Sequence, residues 1–364
     1  MTVPDRADAV VIGGGVIGLS AAGQLAAAGA RTVLLERGEL GSGASRATAG
    51  VLRAYFSGDP AASRLAVRSL AAYRRLPAAP PMRQVGYLVL LTDPEQAAAV
   101  EAELPAQRDA GVRVELIGAA EARRRNPLVD EPGLLAAAWS PQAYVSDTPA
   151  IVRALAGAAA RAGAALCTDR AVTAVDAAAG RVHTAQGTVT ARAIVCAAGA
   201  WSSWIAAEAG VDLPLTGPAV QELLAAPLPD VPDIPVTLHA ASGLLVRKRG
   251  DGLLIGMGFP GPDRDAWLAR TRAQLGRTYP GVDLDGLRSA VTGPRDASPD
   301  RSAFVGHVPG PPAFLYATGF SGRGLCHAPA AGELVRALYL GDDLAAGFGI
   351  DPGRLAAGPE RCAG

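Results

Sequence analysis

Four residues near the N-terminus have the types and spacing to do chemistry together. Gly13, Gly15 and Gly18 fall within Gly13-Gly14-Gly15-Val16-Ile17-Gly18, and Glu36 closes the segment. In such a run Gly13 makes a tight turn, Gly15 lets a pyrophosphate approach bare backbone, and Gly18 lets a helix pack closely on a strand. A carboxylate at Glu36 can accept hydrogen bonds from ribose hydroxyls. Together these residues allow a dinucleotide to bind. Further along, Arg53 stands between apolar neighbours in Val51-Leu52-Arg53-Ala54-Tyr55. Spacing alone suits Arg53 equally to a substrate carboxylate and to a surface salt bridge.

The elements needed to position the glycines are legible around them. The apolar run Ala9 to Ile12 reads as a strand, and the stretch from Val16 to Gly29 as a helix. Thr32 to Leu35 reads as a second strand ending at Glu36. The helix N-terminus, with the N–H groups of Val16 and Ile17, offers partial positive charge to a phosphate. Residues 9–30 carry no charge. Their length invites comparison with a membrane span, but the glycines at the strand end and the small Ala/Gly face point to packing on a sheet instead. The run from Gly38 to Gly50 is rich in Gly, Ser and Ala. A mobile surface loop would have this composition, but its place directly after Glu36 favours a loop lying against an extended cofactor.

Beyond that loop the pattern gives a helix over Ala61–Leu76, a strand over Val85–Leu91 and a helix over Pro94–Ala110. A half-buried strand over Val112–Leu116, a short helix over Ala119–Arg125 and a strand over Leu134–Trp139 follow. Asp147 or Thr148 caps a helix that runs to Ala162, with Pro149 in its first turn. Short strands are expected over 164–167 and 171–175, and a hairpin over 181–190. Ala193 to Ser202 is a buried strand running into small residues, a second place for backbone to meet a cofactor. The Pro-rich stretch Pro214–Pro235 reads as a crossing between domains, before a hairpin over Gly243–Gly256 with Gly-Asp-Gly at its tip. A helix over Asp263–Tyr279, a strand over Phe314–Gly319 and a last helix over Pro329–Leu340 complete the pattern, with a loose tail expected beyond Gly341.

Composition narrows the function classes. The chain has 364 residues and is 49% hydrophobic, enough for one large or two moderate domains. Lys+Arg and Asp+Glu are both 34, a balance without a nucleic-acid or polybasic membrane signature. Lys248 is the one lysine, so lysine is almost unavailable for catalysis. Cys167, Cys196, Cys326 and Cys362 lack CxxC spacing, and His183, His239, His307 and His327 lack metal-ligand spacing, so no metal site is expected. The first strand begins too soon for a secretory signal, making a cytoplasmic protein without a membrane span the expectation. Nothing in the sequence sets an oligomeric state.

Four separated stretches now agree in order: VVIGGGVIGLSAA at 10–22, LGSGAS at 40–45, CAAGAWS at 196–202 and GFSGRGLCHAPAAGE at 319–333. Together they resemble the FAD-dependent amine and amino-acid oxidoreductases, the family of D-amino acid oxidase, glycine oxidase and monomeric sarcosine oxidase. The resemblance runs from about Asp8 to Leu340. It implies an α/β fold: a Rossmann-type FAD-binding domain over 1–81, 143–215 and 291–364, with an inserted α+β substrate domain over 82–142 and 216–290 built on a mixed sheet. It also implies FAD contacts. Gly13, Gly15, Val16, Ile17 and Gly18 would meet the pyrophosphate, and Glu36 and Arg37 the adenosine. Ser42, Gly43, Ser45, Arg46, Thr48, Ala49 and Gly50 would line the route to the ring. Val172 would contact adenine through main chain, while Ala198, Gly199 and Trp201 would lie along the cofactor. Arg295, Gly319, Phe320, Ser321, Gly322, Arg323, Gly324 and Leu325 would approach the flavin.

The same resemblance implies oxidation of a C–N bond in a small amino acid or secondary amine, by hydride transfer to flavin N5. O2 or another acceptor would take the electrons onward. Arg53 would bind the substrate carboxylate, with Tyr55, Arg323 and His239 as further candidates for the catalytic pocket. Three departures stand out. No cysteine falls within Gly293–Asp300, where members with covalent flavin carry one, so noncovalent FAD is expected. Cys326 stands where sarcosine oxidases have a carboxylate-binding lysine, and no lysine falls within Gly256–Asp265 to activate oxygen. Two other readings keep the fold: oxidation of a 2-hydroxy acid with His239 or His327 as base, and a flavin-bearing subunit of a larger dehydrogenase assembly.

Overall fold

In a computed structural model, residues 3–308, 310 and 313–357 are described. The first strand, Arg6–Ile12, lies at the centre of an eight-stranded sheet. Thr32–Leu35 and then Ala165–Cys167 extend it on one side, while Gly187–Cys196 and then Ala313–Thr318 extend it on the other, all five strands parallel. Antiparallel strands Arg181–Thr184, Val172–Asp176 and Phe304–Val308 complete the sheet. This is the parallel Rossmann-type sheet expected. The strand foreseen at Ala193 begins earlier, because the second arm of the hairpin runs into it without a break to make Gly187–Cys196.

The uncharged helix Val16–Ala27 is apolar because it is enclosed, its residues buried from Val16 to Ala26 apart from Ile17, Gly23 and Gln24. It packs against the helices Gly324–Leu340 and Thr148–Arg161. A Cβ on Gly332 would sit 2.6 Å from the Ser20 carbonyl group, so this crossing requires glycine. Among the described residues no helix is long and apolar enough to cross a membrane.

A second eight-stranded sheet runs in the order Arg288–Ala297, Thr216–Pro227, Gly252–Met257, Leu244–Lys248, Val236–His239, Tyr87–Leu91, Ala136–Ser140, Glu115–Gly118. It is mixed, with Val236–His239 and Tyr87–Leu91 parallel and its other pairings antiparallel. Side chains alternate across it. Leu224, Leu244, Val246, Leu253 and Ile255 pack with Trp267, Leu275 and Tyr279 around the Arg264–Thr278 helix. Leu223, Leu238 and Leu245 face the other way, into a cavity between the two sheets. A three-stranded sheet, Val51–Arg53, Ala143–Val145 and Arg83–Gln84, lies beside them.

Four expectations change. The Pro-rich stretch contains a strand of twelve residues, Thr216–Pro227, and its partner carries the second sheet on to Ala297, past the boundary expected at 291. The strand expected over Val112–Leu116 forms instead at Glu115–Gly118. The last helix starts at Gly324, with Pro329 inside it. Proline there leaves the carbonyl four residues back without its helical donor. Tyr73 supplies one, its hydroxyl donating to Leu325 O at 2.9 Å. Finally, the chain beyond Gly341 is packed: Leu344, Phe348, Ile350 and Leu355 are buried, and Val305 N–H donates to Leu355 O at 2.9 Å. Cys362 lies outside the described residues.

One ion-pair cluster ties the central strand to its neighbours. The Asp8 carboxylate accepts from Arg31 Nη2 at 2.9 Å, from Arg31 N–H at 2.9 Å and from Arg192 Nη2 at 2.8 Å. Arg31, followed by Arg192, holds this carboxyl far below the usual carboxylate range. A carboxyl whose folded pKa is depressed stabilises the fold above its unfolded pKa, and that contribution is lost as pH falls. Asp8→Asn should therefore lower stability by up to about 1 kcal/mol at neutral pH, since both arginines are exposed. The difference from the parent should shrink below about pH 4, as read by urea unfolding at several pH values.

Candidate active site

A cavity of about 750 Å³ opens between the two sheets, and the three glycine-bearing turns all lead to it. At the first turn Gly13 has φ +111°, and a Cβ there would sit 2.4 Å from Ala197 O. That close approach draws the end of the neighbouring strand, Ala197 to Gly199, to the same wall. Gly18 lies behind the wall, where its own Cβ would meet Gly13 O at 1.9 Å. It therefore acts in helix-to-strand packing, as its place in the run predicts, and does not line the cavity.

Glu36 sits between two backbone donors, accepting from Gly14 N–H at 2.7 Å and Gly38 N–H at 2.9 Å. Beside it the Arg37 guanidinium lies 3.6 Å over the Trp201 ring. The loop after Glu36 is tied in place: Gly41 N–H donates to Gly14 O, and Ser45 Oγ accepts from Val16 N–H at 3.0 Å. Gly15, Val16, Ile17, Ser42, Gly43, Ser45, Thr48 and Ala49 line the cavity, as do Val172, Ala198, Gly199 and Trp201. Arg46 points to solvent. Gly50 is buried against Ser146, from which it accepts an N–H at 2.9 Å.

The third turn lines the far end with Phe320, Ser321, Gly322, Arg323, Gly324 and Leu325. Gly319 does not join them. It packs near Leu215 and Phe304, and its N–H donates to Asp296 Oδ2 at 2.7 Å. Ser321 takes a left-handed φ of +51°, uncommon for a side chain. Its hydroxyl holds that shape by donating to Gly319 O at 3.1 Å and accepting from Ser298 N–H at 3.0 Å. The helix that follows has no side-chain cap at Arg323, and the Val16–Ala27 helix has none at Gly15. Two helix N-termini therefore open on one cavity, where each favours negative charge.

Three arginines surround this end. Arg53 lies 3.8 Å over the Phe56 ring and 4.8 Å over Tyr87, and it donates to Tyr55 O. Arg295 lies 4.1 Å over Phe259 and donates to Gln221 Oε1 at 3.1 Å and to Ser321 O. Burial lowers its pKa to about 10. Arg323 pairs with Asp59 at 2.8 Å, although burial still pulls its pKa below the usual value.

Two expected pocket residues are turned elsewhere. Tyr55 is fully buried with its hydroxyl donating to Glu103 at 2.6 Å, because Glu103 gathers Tyr55, Ser57 and Gly58 N–H around itself. His239 is buried with Nε2 3.6 Å from Glu131 and Nδ1 accepting from Ser242 N–H at 3.2 Å. Burial lowers its pKa. Neither lines the cavity, nor does His327, whose pKa burial and nearby arginines depress to about 3. The sequence reading missed Phe56, Tyr87, Gln221, Phe259 and Asp296, which do line it. It also missed Asp59, whose one visible signal is the helix start at Asp59-Pro60. Among the described residues no group of three or more metal-ligating side chains is present.

Comparison with known proteins accords with this geometry. The family model described as FAD dependent oxidoreductase (DAO) matches residues 8–338. Glycine oxidase of Geobacillus kaustophilus is 31% identical over 353 residues, spanning 91% of this chain and 92% of the relative. Mitochondrial dimethylglycine dehydrogenase of Rattus norvegicus is 28% identical, and its match spans 93% of this chain but 43% of that longer protein. Among solved structures, L-proline dehydrogenase from P. horikoshii superposes with a TM-score of 0.85 at 27% identity, covering 94% of this chain and 95% of that one.

Proposed function

That the chain belongs to the FAD dependent oxidoreductase family is the premise from which we propose that it oxidises the C–N bond of a small amino acid or secondary amine to an imine. The cavity suits an extended dinucleotide: three glycine turns, two helix N-termini and the Glu36 carboxylate converge on one continuous space. Gly13, Gly15, Val16, Ser45 and Glu36 would hold the pyrophosphate and adenosine side of FAD, with Ser321 to Leu325 at its other end. When bound, FAD supplies the two-electron acceptor for amine oxidation. The observation that carries the reading is the Arg53 guanidinium, which faces the cavity from between Phe56 and Tyr87.

In that role Arg53 fixes a substrate carboxylate and so aims the neighbouring carbon, a positioning effect that removes much of the barrier. The aromatic and aliphatic wall disfavours an ammonium ion and so favours the neutral amine that is competent to react. Oxidation of a 2-hydroxy acid would want a base for the hydroxyl proton. His239 and His327, the candidates for that task, lie off the cavity, which supports the amine reading over this one. We take FAD to be held noncovalently, and O2 or another acceptor to reoxidise it. Free, buried Cys167, Cys196 and Cys326 accord with a reducing, cytoplasmic setting.

Anaerobic mixing tests the proposal. The yellow protein should bleach with one or more amino acids or N-methyl amino acids and stay oxidised with hydroxy acids. Bleaching by hydroxy acids alone reverses the assignment. Re-admitting air then separates oxidase from dehydrogenase.

A further inference from the structure

The arginines around the substrate end are not equivalent. Arg323 has a carboxylate partner in Asp59. Arg53 and Arg295 have none: among the described residues no carboxylate oxygen lies within 4.0 Å of either guanidinium. Each is instead anchored by a carbonyl, Tyr55 O or Ser321 O, and stacked on aromatic rings, and Arg295 Nε is buried without a hydrogen-bond partner. Asp296, next in sequence to Arg295, spends Oδ2 on Gly319 N–H and Thr318 Oγ1. Asp296 still offsets part of the charge on Arg295, while Arg301 and Arg323 add positive charge beside it.

Both side chains are half-buried, and neither pairs directly with a carboxylate. Two such cations facing one cavity suit it to two negative charges. Tyr55 O holds the Arg53 guanidinium at one place and Ser321 O holds that of Arg295 at another. The two are fixed to different carbonyls, so each offers its own donors to a carboxylate. The arginines also come from different sheets, Arg53 from the Val51–Arg53 strand and Arg295 from the Arg288–Ala297 strand.

We propose that the preferred substrate is an amine bearing two carboxylates, one received by Arg53 and the other by Arg295. This rests on reading the cavity end as the amine site and narrows that reading to dicarboxylate amines. Each arginine acts by binding, and neither takes part in bond making or breaking.

The test uses non-reactive acids, so that it does not depend on turnover. Malonate, succinate and glutarate, with acetate and propionate as matched monocarboxylates, are titrated into the FAD-loaded protein by calorimetry and by following the flavin spectrum. The tightest dicarboxylate should bind at least about tenfold more tightly than either monocarboxylate, given the strength of charge-assisted pairs. In Arg295→Gln and Arg53→Gln that advantage should fall to about twofold or less. Equal binding of both acid classes by the parent protein overturns the proposal without requiring any variant. So does a variant that weakens both classes in the same proportion and keeps their ratio. A dicarboxylate preference without bleaching by any amine would retain the double-anion site and discard the amine reading. Bleaching by amino acids without that preference would do the reverse.

Discussion

Gly13→Ala should purify with little or no bound flavin. The residue sits at φ +111°, where an L side chain is strained by about 1–3 kcal/mol before any contact is considered. The added Cβ would also meet Ala197 O at 2.4 Å and Ala197 C at 2.8 Å. Both are backbone atoms and cannot turn aside as a side-chain end could. Relief requires moving Ala197 and Ala198 off the wall they share with the first turn, which separates two parts of the nucleotide cradle. Flavin absorbance per mole of protein reads the effect. Gly29→Ala is the control, with φ +87° but nothing within 4 Å of its Cβ. It should lose stability to strain and keep its flavin. Full flavin content in Gly13→Ala would show that the turn does not hold the cofactor.

Asp59→Ala should lower stability by roughly 2–4 kcal/mol, somewhat less than removing one partner of a fully buried pair, because Arg354 is partly exposed. The carboxylate has three partners: Arg323 at 2.8 Å, Arg354 at 2.7 Å and the first-turn N–H of Ala62 at 3.1 Å. Its loss would uncap the Pro60–Arg75 helix and leave Arg323 buried without a counter-ion. It would also release the chain near Leu355, which Arg354 fastens to the same carboxylate. Urea unfolding of the FAD-loaded protein measures the change. A loss below about 0.5 kcal/mol, the range of an ordinary surface substitution, would mean that the cluster is too well hydrated to matter.

Much of the first sheet could be read from the sequence because its signals are local. Gly13, Gly15 and Gly18 form a pattern six residues long, Gly18 answers a steric demand set by Gly13 O, and the apolar run into Ile12 needs no distant partner to be recognised. The cavity wall at Ser42–Ala49 was legible for the same reason, as small residues directly after Glu36. What escaped depends on distant partners. Pro329 looks like a helix start until Tyr73, far away in sequence, is seen to satisfy Leu325 O. Tyr55 looks like a pocket residue until Glu103 is seen to claim its hydroxyl. Gln221 sits on a strand of the second sheet, and only the pairing of that strand with Arg288–Ala297 brings it beside Arg295. The tail beyond Gly341 is short of periodic pattern, so the burial of Phe348 and Leu355 could not be foreseen from it.

The cavity takes its walls from both sheets, Gly13 and Ala197 on one side and Leu223, Leu238 and Leu245 on the other. Any molecule lodged there is a mortar between two halves, adding to direct contacts such as Gly319 N–H to Asp296. By mass action, ligand at a hundred times its Kd adds about 2.7 kcal/mol to the free energy of unfolding. Heat resistance and colour should therefore fade together, and a preparation stripped of its yellow is a weaker protein before it is an inactive one.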